Sequence, residues 1–157
     1  MIKSRKNEKE QALEYIENAI IYNSRNFSAL NLKALLKGEK SEAQNLDELN
    51  ILSLFINGED VSRHIINSHM LIDLSIELAK AGYYEKAFSL LSLAKDDYPL
   101  IHYYKAYYSK DNSFLSDALN ASPYCCFPNR IEDIIVLEYA IKNNPEDFKA
   151  PYYLGCL

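Results

Sequence analysis

Between Ser68 and Pro99 the chain carries two apolar stripes joined by a glycine, and this pattern limits the fold more than any other feature. Leu71, Leu74, Ser75 and Leu78 recur at the spacing of one helical face. Gly82 follows as a helix-ending residue, and Tyr84, Ala87, Phe88, Leu91 and Ala94 trace a second stripe before Pro99. A helix with a single apolar stripe has to bury it against another element. The segment therefore predicts a helical hairpin that Pro99 closes.

Composition extends this reading to the whole chain. Four glycines and five prolines in 157 residues are too few turn-formers for a sandwich or barrel of many short strands. With 48% apolar and 25% charged residues, the chain is neither disordered nor low-complexity. At roughly 150 residues per domain, it is one compact domain or one short repeat array. A net charge of −5 and a single short basic tail (Lys3, Arg5, Lys6) make a poor footprint for nucleic acid. The apolar run at residues 49–56 is far below the ~20 residues a membrane span needs. No apolar leader is visible, which predicts a cytoplasmic protein.

The layout of residues 68–99 resembles the tetratricopeptide repeat, a unit of about 34 residues. At successive key positions of that pattern the chain reads Leu71, Leu74, Ser75, Leu78, Gly82, Tyr84, Ala87, Leu91, Ala94 and Pro99. The small residues let two helices approach closely while the large ones fill the holes between them. Ala12, Ile16 and Ala19, with Ser24 in the proline position, repeat the second-helix signature. Phe27, Ala29, Leu30 and Ala34 open another first helix, and Gly38 to Ala43 reproduces the spacing of Gly82 to Ala87. Ala118 to Pro123 and Ala140 to Pro145 repeat the ending of Ala94 to Pro99.

The resemblance implies an all-α, tetratricopeptide-like α-solenoid of antiparallel helix pairs over residues 1–157. Its repeats fall at about 8–26, 27–67, 68–99, 100–123, 124–145 and, incompletely, 146–157. Several stretches depart from the pattern. Leu46, Leu49, Leu52 and Phe55 predict one helix with an irregular continuation, and the spacing from Ala106 to Ala118 is too short. Residues 123–130 read as a loop, because Pro128 biases Phe127 away from helical geometry, and Asp133 stands where the repeat wants alanine. Entry at a second helix and an ending in a first helix, with Gly155 at a small contact position, predict a fragment of a longer protein. The block from Ala81 onward also resembles the repeat region of large bacterial proteins that carry a mutarotase-like domain. That likeness implies an accessory role in carbohydrate work and transfers no catalytic residue.

Chemistry-bearing motifs are few. Cys125 and Cys126 are neighbours and Cys156 lies on another element, so no metal-ligand spacing exists and no cofactor is expected. His64, His69 and His102 have no nucleophile partner, and no phosphate loop or nucleophile elbow is present. The expectation is a non-catalytic scaffold. Eleven of the thirteen tyrosines follow residue 80. In tetratricopeptide arrays the first helices line a concave groove, which makes Tyr103, Tyr107 and Tyr152 candidate aromatic contacts, with His69 and Ile72 beside them. Only Asn31 fits the positions of a carboxylate clamp. The expected partner is a protein or peptide segment, another domain of the same chain included, and the runner-up is an accessory region of a carbohydrate-active protein.

Overall fold

In the computed structural model, which describes residues 2–23, 26–39, 48–65 and 67–157, the described residues form nine α-helices and no strand. They are α1 (Ile2–Tyr22), α2 (Phe27–Lys37), α3 (Glu48–Ile56), α4 (Ser68–Lys80), α5 (Tyr84–Leu91), α6 (Pro99–Ser109), α7 (Ser113–Asn120), α8 (Ile131–Asn143) and α9 (Lys149–Gly155). The chain is all-helical over these residues. Ser24, Ala43 and Leu46, used in the repeat alignment, lie outside them.

Contacts divide the chain into two compact units, Met1–His64 and Ile65–Leu157. The division falls inside the predicted 27–67 repeat, where α3 is followed by turns and not by a second helix. Within the first unit, α2 packs on both α1 and α3. Asn26 caps α2 by accepting from the Ala29 amide at 3.1 Å, and Gly38 ends it at φ +71°, a conformation that costs a side chain-bearing residue strain. Glu17 reaches Lys33 at 3.0 Å and Lys37 at 3.5 Å, tying α1 to α2. Asn31 is buried and accepts from the Ser53 hydroxyl of α3. The one residue that suited a carboxylate clamp is thus part of a core contact.

The second unit is built from the hairpin α4/α5 and the pairs α6/α7 and α8/α9, with α6 packed on α4, α5, α7 and α8. Asn67 caps α4 through the Met70 amide at 2.9 Å. Gly82, at φ +85°, turns the chain into α5, and the Tyr83 amide donates back to the Leu78 carbonyl at 2.9 Å. The alanines do what close helix packing requires: Ala87, Ala106, Ala118, Ala140 and Ala150 are fully buried.

Three details differ from the repeat reading. Helix α5 ends at Leu91, leaving Ala94 beyond it. Pro99 opens α6 in its first turn, where a missing N–H costs nothing, and does not close the preceding unit. Gly155 is exposed, and a methyl group there would meet no neighbour, so it is not a contact position.

Candidate functional site

Helix α6 carries the chain's densest tyrosine cluster, and two aspartates decide which way it faces. Tyr103 and Tyr104 are buried, and each donates its hydroxyl to a buried carboxylate at 2.7 Å, Tyr103 to Asp147 and Tyr104 to Asp133. Asp133 also accepts from the Asn129 and Arg130 amides at 2.9 and 3.0 Å, at the start of α8. Asp147 accepts from the Lys149 and Ala150 amides at 2.9 and 3.2 Å, at the start of α9. Each carboxylate therefore serves twice, as a cap for orphan helix donors and as the acceptor of a tyrosine. Asp133 departs from the alanine of the repeat pattern because this position must end a loop and start a helix. Burial first, and then the neighbouring carboxylate, push both tyrosines well above the ordinary phenol range.

The loop at residues 123–130 is held from a second side. Arg130 donates through Nε to Asp73 of α4 at 2.5 Å and through a terminal nitrogen to the His69 carbonyl at 3.2 Å. The same nitrogen lies 3.3 Å from His69 Nδ1. A guanidinium only donates, so Nδ1 accepts and the imidazole proton sits on Nε2, 3.0 Å from the Tyr98 hydroxyl. His69 is thus a link between α4, Arg130 and Tyr98.

Between those anchors the side chains of the loop alternate in burial. Cys126 and Pro128 point into the core, while Cys125, Phe127 and Asn129 face out. The turn that starts it closes from the Cys126 amide to the Pro123 carbonyl at 3.2 Å, with Cys125 at φ +56°. Burial raises the Cys126 thiol above its ordinary value. One cysteine is thus core and the other surface, which separates the two thiols by environment.

The outward side of this loop and α9 together form a cleft of about 670 Å³, lined by Pro123, Tyr124, Cys125, Cys126, Phe127, Phe148, Lys149, Tyr152 and Tyr153. Four of these aromatics remain strongly exposed: Tyr124 at 84%, Phe127 at 70%, Phe148 at 71% and Tyr152 at 67%. Scattered exposed apolar residues are ordinary, whereas several around one concavity mark a contact surface. The cleft has one charged lining residue, and Lys149 Nζ is already held at 2.5 Å by each of the Leu119 and Ala121 carbonyls. On the inner wall, the buried Tyr153 hydroxyl has no oxygen or nitrogen partner among the described residues, and the Cys126 thiol, a weak acceptor, stands beside it.

The five residues predicted to line a groove are not gathered on one exposed surface. Ile72 and Tyr103 are fully buried and belong to the core, because the faces of α4 and α6 that carry them pack against neighbouring helices. His69 is half-buried in the Arg130 link. Tyr107 lines a separate hollow of about 150 Å³ with Ile76, Tyr84, Tyr108 and Glu132, and the Lys110 ammonium lies 3.8 Å above its ring. Tyr152 alone lines the aromatic cleft. Sequence reasoning missed Tyr124, Phe127 and Phe148, although the two prolines flanking an aromatic-rich loop were a usable signal.

Among the described residues, no group of histidine, cysteine and carboxylate side chains is placed to hold a metal ion, and no helix is long and apolar enough to cross a membrane. No family model, curated protein or solved structure matches the chain.

Proposed function

We propose that this chain is a non-catalytic interaction module with a tetratricopeptide-like arrangement of helix pairs, and that it binds a peptide segment of a partner protein. The observation that carries this reading is the convergence of Tyr124, Phe127, Phe148 and Tyr152, all exposed, around one cleft. Anchors of this kind give affinity by burying ring area in a desolvated pocket. The repeat-like character is supported by the Gly82 turn and by the burial of Ala87, Ala118 and Ala140 at repeat-pattern positions. A non-catalytic role is supported by the use of Asp133 and Asp147, whose oxygens are taken up by capping and by tyrosine hydroxyls.

The test is selection of binders from a displayed peptide library on the immobilised protein, followed by titration of a selected peptide. Phe148→Ala and Tyr152→Ala are expected to weaken binding by about tenfold or more each, as buried aromatic anchors do, while Tyr107→Ala leaves it unchanged. Failure to select any peptide, or binding that Tyr107→Ala abolishes and the cleft variants do not, would remove the cleft from this role.

A further inference from the structure

Apart from the aromatic cleft, we infer that the hollow between α4, α5, α6 and α8 binds a trimethylammonium group, carried by a small quaternary amine or by a trimethylated lysine side chain. Tyr84, Tyr104, Tyr107 and Tyr108 all line it. The Tyr108 ring centroid lies 5.9 Å from that of Tyr84, 5.7 Å from Tyr104 and 5.9 Å from Tyr107, at interplanar angles of 53°, 59° and 57°. Rings inclined in this way do not stack flat on one another, so they stand as walls around the space they share. An aromatic face carries negative charge density and attracts a cation within about 6 Å of the ring centroid. One of these rings already seats a cation of the chain's own: the Lys110 ammonium lies 3.8 Å from the Tyr107 centroid and 4.7 Å from that of Tyr139. Lys110 itself does not line the hollow. Tyr84 and Ile135 of the lining are half-exposed, which leaves the hollow open to solvent.

The polar chemistry narrows the class of cation. Lys80 and Glu132 are the charged residues of the lining, and they meet at 2.9 Å, with Glu77 3.7 Å from the same ammonium. That pairing holds the Glu132 carboxyl below its ordinary range, so it is ionised at neutral pH and an entering cation faces a neutralised Lys80. The Tyr104 hydroxyl is donated to Asp133, and that of Tyr108 lies 3.4 Å from the Ser75 hydroxyl. What these two tyrosines offer the hollow is ring surface. A primary ammonium would bring N–H donors to a lining whose one carboxylate is already engaged, and would lose hydration without replacing it. A trimethylammonium group has no N–H and asks only for ring faces. Size agrees. A space of about 150 Å³ takes a group about as large as benzene, which is the bulk of such a head group.

The experiment titrates choline into the intact chain, followed by calorimetry and by the ring-proton shifts of the tyrosines. Two comparisons run beside it: the neutral isostere with a tert-butyl group in place of the trimethylammonium head, and ethanolamine, the primary amine. Expected are saturable choline binding, shifts at Tyr84, Tyr107 and Tyr108, and an affinity at least about tenfold above that of either comparison. Tyr84→Leu, which keeps apolar bulk and removes the ring, is expected to weaken choline binding about fivefold, whereas Tyr84→Phe keeps it. Glu132→Gln, which leaves the Lys80 ammonium less neutralised, is expected to weaken choline about threefold and to leave the isostere unchanged. Peptides with and without a trimethyllysine identify the source. A trimethyllysine peptide that binds more tightly than choline assigns the group to a protein side chain, and one that binds more weakly assigns it to a free amine; either result supports the site. Equal binding of choline and its neutral isostere would make the hollow an apolar pocket only and overturn the assignment. So would absent ring-proton shifts, or choline binding that survives Tyr84→Leu in a folded protein. Phe148→Ala is expected to leave choline binding unchanged, which keeps this test separate from that of the peptide cleft.

Discussion

The tyrosines of α6 and the aromatics around the 123–130 loop are the same kind of side chain put to opposite uses. Tyr103 and Tyr104 bury their rings and deliver their hydroxyls to Asp147 and Asp133, so a group that would be costly to bury becomes a tie between helices. Tyr124, Phe127, Phe148 and Tyr152 bury little and have no carboxylate in their cleft. What separates the two sets is the availability of an acceptor at the start of the next helix. A tyrosine opposite such an aspartate is architectural. Tyr124 and Tyr152 have none and stay at the surface, where their apolar area is available to something else, while Tyr98 and Tyr108 are buried on His69 and Ser75 instead.

The sharpest way to break this comparison is alkaline pH. Burial raises Tyr98, Tyr103, Tyr104, Tyr108 and Tyr153 above the ordinary phenol value of 10.0. A proton held more tightly in the folded state than in the unfolded one gives stability that is complete below the unfolded value and falls as pH rises past it. Above about pH 10 the second unit is therefore expected to unfold cooperatively, with tyrosinate absorbance rising as the helical circular dichroism signal collapses. A helical signal that outlasts ionisation of the buried tyrosines would remove them from the architecture.

Next in size is Asp133→Ala, which leaves the Tyr104 hydroxyl and two amides without their acceptor. It is expected to cost about 3 kcal/mol in a urea titration and to loosen the loop that forms one wall of the cleft. Asp133→Asn keeps an acceptor and should lose less. A smaller effect, of opposite sign, is expected at Cys125, which holds φ +56° without being glycine. Cys125→Gly is expected to stabilise by about 0.5 kcal/mol, as relief of strain outweighs the extra freedom of the unfolded chain. Smallest of all, Phe148→Ser or Tyr124→Ser should change thermal stability by less than about 0.5 kcal/mol, because these rings are mostly in water already. A large loss there would mean that the exposed set is architectural too.

How much of this was legible follows from where each interaction lies along the chain. The α4/α5 hairpin was readable in its two helices and its glycine turn, since period and turn chemistry are local properties, but its end was not: α5 stops at Leu91, and Pro99 opens the next helix. The loop at residues 123–130 was readable as well, from its two prolines. The groove residues were not. Tyr103 and Tyr107 lie on one short helix, and nothing local tells which of them meets Asp147, 44 positions away from Tyr103. Ile72 failed as a surface candidate for a related reason, because a helix packed on more than one side has no solvent face at that position.

The amino-acid order by itself determined that this chain is helical, where its clearest hairpin turns, and which small residues let helices touch, because those choices depend on neighbours within about one or two turns. Only the tertiary structure decided which aromatics are core and which are surface. That depends on an aspartate, an arginine and a loop brought together from distant parts of the sequence, and burying a hydroxyl is favourable only where such a partner already stands.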